Sequence, residues 1–220
     1  MDPITAAPMT AKGKSTRDRI VAAAADLFYR QGVAGTSLPD VRAAAVVSSS
    51  QIYHYFKDKR ALTLAVIAYQ TEAIIAGHST LLVELDTLDG LRAWRDFVVG
   101  SQRQSLGGCP LGGLSSELAD HDQGAREALA AAFTRWAGAL HAGIANMIDN
   151  GTLRPDTDAG RLAAALLAAL QGGLLLAQAE QTTTALEAGL DTVIDAIAQH
   201  STADRPRRGE GKAPGVVARR

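Results

Sequence analysis

Residues 37–59 read SLPDVRAAAVVSSSQIYHYFKDK, and their spacing predicts two short helices joined by a tight turn. Leu38, Val41 and Ala45 recur at i, i+3 and i+7, one face of a helix that opens at Ser37, a good N-cap residue. Pro39 falls in its first turn, where the missing N–H breaks no internal bond. Ser48 is placed to cap a second helix in which Ile52 and Phe56, four apart, face inward. Ser49, Ser50, Gln51, Tyr53, His54 and Tyr55 are left to look outward. Hydroxyls, an amide and aromatics with polar tips suit base edges and phosphate oxygens, and a helix is the element that fits the major groove of duplex DNA. Ser37 and Ser48 stand at the two helix starts, and Lys57, Lys59 and Arg60 follow with charge to neutralise the backbone.

Charge is divided along the chain in the same sense. Residues 12–60 hold nine Lys and Arg against four Asp, a balance of +5, whereas residues 61–200 hold seven against sixteen, a balance of −9. The basic window coincides with the two-helix unit, which favours a nucleic-acid partner over an accident of composition.

The run from Thr36 to Leu62 resembles the DNA-binding domain of the TetR family of bacterial transcriptional regulators. Val47-Ser48 opens a helix, Ile52-Tyr53-His54-Tyr55-Phe56 lies inside it, and Lys59-Arg60-Ala61-Leu62 comes after it. The likeness extends upstream through Thr16-Arg17-Asp18-Arg19-Ile20 and Ala25-Asp26-Leu27-Phe28 to Gly32 and Gly35. Two positions depart from the family pattern. Arg42 stands where a small residue is usual, and Val46 where the turn glycine is usual. A β-branched residue at positive φ is strained, so either the turn differs or its surroundings hold Val46 there at a cost of about 1–3 kcal/mol.

With 220 residues, 47% of them hydrophobic, the chain has enough apolar material for a sizeable core. Ala and Leu are abundant and strand-forming runs are missing, which predicts an all-α protein. The expected organisation is a flexible arm (1–14), a three-helix domain with the helix-turn-helix (15–60), a helical ligand-binding and dimerisation bundle (61–200) and a disordered basic tail (201–220). No stretch reaches the roughly 20 consecutive apolar residues of a membrane span and no secretory signal is present, so a cytoplasmic location and no membrane partner are expected.

Helical periodicity marks the first helix at residues 15–31, with Ile20, Ala24, Leu27 and Phe28 inward and Gly32 at its end. A long helix over residues 57–78 follows, then one over 88–106. Gly107-Gly108-Cys109-Pro110-Leu111-Gly112-Gly113 reads as a flexible corner; it lacks the Lys-Ser/Thr of a phosphate-binding loop and precedes no strand. Further helices are expected over 123–150, 160–179 and 183–200. The one over 160–179 is apolar nearly all round and needs covering all round. Gly172-Gly173 suits either close helix approach or a kink.

Trp94, Phe97, Phe133, Trp136 and Leu140 fall on inward faces of the second domain. They read either as ordinary core or as the lining of a pocket for a small, hydrophobic effector. The resemblance implies a homodimer formed through residues 160–200, a pseudo-palindromic DNA operator, and a repressor released by that effector. The sequence offers two alternatives. Cys109, the single cysteine, suggests a redox-sensing regulator, but no Lys, Arg or His stands near it in sequence to favour the thiolate. An all-helical enzyme lacks support: His54, His78, His121, His141 and His200 are scattered, with no nucleophile elbow. No catalytic residue, metal site or cofactor is expected.

Overall fold

The computed structural model describes residues 11–83 and 85–203. Among the described residues lie nine α-helices and no strand: α1 Ala11–Gln31, α2 Leu38–Ala45, α3 Ser49–Tyr55, α4 Lys59–Val83, α5 Leu88–Gln104, α6 Pro110–Leu118, α7 Gln123–Asp149, α8 Ala159–Glu180 and α9 Thr184–Ala198. The all-α expectation holds, with local corrections to where elements begin and end. Helix α1 starts at Ala11, so the last four residues of the expected arm are helical; residues 1–10 lie outside the described residues. The expected flexible corner is half helix. Pro110 supplies the preset φ of a first helical turn, and Gly112 and Gly113 lie inside α6.

Helix α1 ends where predicted. Gly32 sits at φ 76°, which a Cβ would oppose, and its N–H closes the last turn onto the Phe28 carbonyl at 3.0 Å. From there the chain turns into α2 and α3. Ile20, Ala24, Phe28, Val41, Ala45, Ile52, Phe56, Leu62 and Val66 close a first core, each at most 5% exposed. Burying side chains of this size contributes about 1.5–3 kcal/mol apiece for the larger ones.

This first core does not stop at residue 60. It takes in Ile67 of α4, Leu111 and Leu114 of α6, and Ala125, Leu129 and Ala132 of α7. The packing therefore divides inside α4, not at its start. A second core lies around Trp94, Leu140, Met147, Leu166, Leu170, Leu190 and Ile197. Cys109, Ile74 and Phe133 touch both.

Helix α8 is long and apolar enough by length and composition to cross a bilayer, contrary to the expectation that no stretch would be. In the bundle it buries Leu166, Leu170, Leu174 and Ala177 and packs most extensively on α9. Gly173 is the closest point of that pair: a Cβ there would lie 2.6 Å from the Leu186 Cα. The close approach foreseen for this glycine is thus made within the chain. Leu175 and Leu176 remain 64% and 43% exposed, in line with the exposed Ala168 and Gly172.

Residues 201–203, expected in the tail, are held. The Arg154 N–H donates to the His200 carbonyl at 2.9 Å, and the Thr202 N–H to the Thr152 carbonyl at 3.1 Å. Residues 204–220 lie outside the described residues.

Candidate nucleic-acid interface

Both short helices begin with reciprocal caps. Asp40 N–H donates to Ser37 Oγ at 3.3 Å, while Ser37 N–H donates to Asp40 Oδ2 at 2.8 Å. The Ser37 hydroxyl also donates to Asp40, and these bonds hold the Asp40 carboxyl below its ordinary range. At α3, Gln51 N–H donates to Ser48 Oγ at 3.2 Å and Ser48 N–H donates to Gln51 Oε1 at 2.8 Å. Each box satisfies two of the backbone donors that a helix start leaves open.

Between the helices Val46 adopts φ 52° and ψ 56°, the left-handed conformation that glycine takes most readily. Its side chain is 83% exposed, so packing does not hold it there. The bonds that close the turn are backbone bonds: the Val46 N–H reaches the Ala43 carbonyl and the Val47 N–H the Arg42 carbonyl, both at 3.2 Å.

Helix α3 buries Ile52, at 1% exposure, and leaves Ser49, Ser50, Gln51, Tyr53 and His54 exposed along with the cap Ser48. The sequence pattern is thereby reproduced, with refinements. Ser37 and Gln51 are already committed to their caps. Tyr55 is half-buried against the first core, with its ring edge-on to His54 at 4.8 Å between centroids. Lys59, the first residue of α4, is half-buried, whereas Lys57 is exposed. Arg42 is exposed and lines a groove of about 220 Å³ with Leu38, Pro39, Ser49, Ile52 and Tyr53.

Arg60 is a correction. It forms a two-pronged pair with Asp122, Nε to Oδ2 at 2.8 Å and Nη2 to Oδ1 at 3.0 Å, and so does not stand free for a phosphate. Asp122 is also the N-cap of α7, accepting from the Ala125 N–H at 3.0 Å. A second tie lies nearby: Glu117 of α6 accepts from the Val33 N–H at 2.7 Å and the Ala34 N–H at 2.5 Å. Sequence reading missed both ties because each joins residues more than sixty positions apart and follows no local period.

In the second domain Phe97 and Trp136 line one cavity of about 280 Å³, with Ile74, Val98, Gln102 and Leu170 among its walls. Trp94 and Leu140 are fully buried in the second core, and Phe133 is half-buried between the two cores. Of the five residues expected to share a site, Phe97 and Trp136 line this cavity, whereas Trp94, Phe133 and Leu140 lie outside its lining and pack in the cores. Cys109 is held above the usual thiol pKa, chiefly by burial. Among the described residues no group of three or more His, Cys, Asp or Glu is placed to hold a metal.

Comparison with known proteins accords with this arrangement. Residues 20–66 match the family described as bacterial regulatory proteins, tetR family, and residues 88–193 match the tetracyclin repressor-like C-terminal domain. The crystal structure of a TetR transcriptional regulator from Chloroflexus aurantiacus is 32% identical and superposes with a TM-score of 0.74, covering 87% of this chain and 98% of that one. An uncharacterised HTH-type transcriptional regulator of Lactococcus lactis is 29% identical over 183 residues, 81% of this chain and 91% of its own. The HTH-type transcriptional repressor DhaR of Mycobacterium sp. GP1 is 25% identical over 181 residues, 82% of this chain and 91% of its own.

Proposed function

The chain belongs to the TetR family of bacterial transcriptional regulators, and on that premise we propose a homodimeric repressor that a small hydrophobic effector releases from a pseudo-palindromic operator. It is a DNA-binding regulator and not an enzyme. The observation that carries the proposal is the two-sided α3: Ile52 locked into the core, and Ser48, Ser49, Ser50, Tyr53 and His54 exposed on the rest of a capped helix. Those groups match the hydrogen-bonding edges of the major groove, and Lys57 beside them matches a phosphate.

Pairing of two copies through α8 and α9 is supported by the exposed row of Ala168, Gly172, Leu175 and Leu176, which one chain leaves uncovered. Two α3 helices would then face half-sites about 34–36 Å apart. The effector would occupy the Phe97–Trp136 cavity. Its lining reaches Ala73, Ile74 and Gly77 of α4, the same helix whose first residues follow α3. A ligand that prefers the arrangement with misplaced reading helices lowers operator affinity by its differential affinity for the two states. A cytoplasmic location follows from the DNA partner.

Selection of bound duplexes from a random pool, repeated with candidate hydrophobic ligands, tests this reading. Enriched two-fold-symmetric sequences whose retention falls with ligand support it. Enrichment without symmetry, or retention indifferent to every ligand and to Phe97→Ala, contradicts the dimer or effector part respectively.

A further inference from the structure

A separate cavity of about 170 Å³ lies where the two cores meet, bounded by Phe28 and Tyr29 of α1, Gln70 of α4, Gly108 and Glu117 at α6, and Gln178 of α8. It shares no residue with the Phe97–Trp136 cavity. We propose that this junction cavity binds a small organic cation, a short-chain primary ammonium, with Glu117 as its counter-ion. The inference stands apart from the effector reading and from the DNA reading.

Charge comes first. The walls carry one formal charge, that of Glu117, and no Lys, Arg or His. A lone carboxylate attracts a cation, yet it is too few oxygens for a hard divalent metal, which takes six or so ligands. Donors and acceptors come next. Val33 N–H and Ala34 N–H use one site on each carboxylate oxygen of Glu117, and a carboxylate offers about four. The Gly108 carbonyl is engaged only weakly, by the Tyr29 hydroxyl at 3.4 Å, and the amides of Gln70 and Gln178 add further acceptors. The three N–H donors of a primary ammonium match such a set.

The remaining wall is apolar and aromatic. Phe28 and Tyr29 supply ring surface that favours a cation and its first methylenes. Tyr29 is 46% exposed and Gln178 is exposed, so the mouth opens to solvent. The volume is well under the roughly 300–1,000 Å³ of drug-sized sites, which restricts the ligand to a short chain. Backbone closeness at the rim is also specified: a Cβ on Gly107 would fall 1.6 Å from the Tyr29 hydroxyl oxygen, and one on Gly108 2.3 Å from Gln178 Oε1. Since Phe28, Tyr29 and Gly32 come from the DNA-binding half and Gln70, Glu117 and Gln178 from the bundle, an occupant bridges the two.

Calorimetry on the full chain with n-butylammonium and 2-phenylethylammonium, each against its neutral alcohol, 1-butanol and 2-phenylethanol, tests the proposal. The expected result is one ammonium per chain, bound at least about tenfold tighter than the matching alcohol, the discrimination of one charge-assisted hydrogen bond. Glu117→Gln should abolish that preference and Phe97→Ala should keep it. Tyr29→Leu, which leaves the carboxylate in place, should weaken the ammonium severalfold and decides the matter if Glu117→Gln does not fold. Absence of ammonium binding, equal binding of amine and alcohol, or a preference that survives Glu117→Gln or is untouched by Tyr29→Leu overturns it.

Discussion

The Oε1 atom of Gln51 accepts a hydrogen bond from the Ser48 backbone N–H at 2.8 Å, so the residue best suited by sequence to read a base is also the clasp that starts its own helix. Two roles in one side chain can be separated by substitution. Glu at this capping-box position keeps the acceptor and removes the amide donor. Gln51→Glu should hold the unfolding midpoint near wild type while lowering operator affinity by about 1–3 kcal/mol. Gln51→Ala should lose both, with about 0.5–2 kcal/mol of stability gone. Denaturant unfolding paired with DNA titration checks this; an operator affinity untouched by either change shows that Gln51 reads nothing. Lys57→Ala serves as the contrast, weakening all sequences alike and lowering the salt slope by about 1.

Val46 offers a second test. Its left-handed backbone conformation costs a β-branched residue about 1–2 kcal/mol, and at 83% exposure little packing is lost on truncation. Val46→Gly should therefore raise stability, by about 1 kcal/mol once the greater freedom of glycine in the unfolded chain is counted. Urea denaturation measures it directly. A lower midpoint would mean that the valine methyls are held by contacts that its exposure does not reveal.

The Arg60–Asp122 pair ties the start of α4 to the start of α7 and gives a pH signature. Hydrogen bonds from Arg60, then from the Ala125 N–H, hold the Asp122 carboxyl below its usual value. A depressed folded-state pKa contributes stability at pH above the unfolded value of about 3.9, and the contribution is lost as pH falls through the folded value. Asp122→Asn should flatten the acid side of the stability curve, leaving the contributions of Asp40, Glu72 and Glu187, whose pKa values are also lowered. Unfolding midpoints from about pH 7 down to about pH 3 check the change in slope. An identical acid limb in the variant would show that the pair is open in solution.

Cys109 should be slow to react. Burial raises its thiol pKa, which lowers the thiolate fraction at neutral pH, and only the thiolate attacks. Alkylation by iodoacetamide is expected to run at least about tenfold slower in the native protein than in urea. A native rate equal to or above the denatured one would favour the redox-sensing alternative.

What the sequence made legible was local. Caps at Ser37 and Ser48, the inward pair Ile52 and Phe56, the stop at Gly32 and the helical runs that form α7 and α9 are each set within one or two helical turns, where periodicity and capping chemistry operate. What stayed hidden was set by distant partners. Arg60 reads as a free cation until Asp122 folds against it, and Trp94 and Trp136 look alike on inward helix faces although Trp136 lines the cavity beside Phe97 and Trp94 is fully buried in the second core. The helix inside the glycine-rich corner was missed for another reason. Four glycines around a single Pro outweigh the start signal of that Pro in any local reading, and packing of Leu111 and Leu114 into the first core supplies what the local sequence lacks.

Competition at physiological salt shows whether α3 reads a duplex as one of a pair. A labelled duplex taken from the random-pool selection is titrated with the protein, then competed with unlabelled copies of itself or with a scrambled duplex of the same composition. The expected result is a preference of about a thousandfold or more for the selected sequence, with two chains per duplex. Equal competition by the scrambled duplex, or saturation at one chain per duplex, would contradict it.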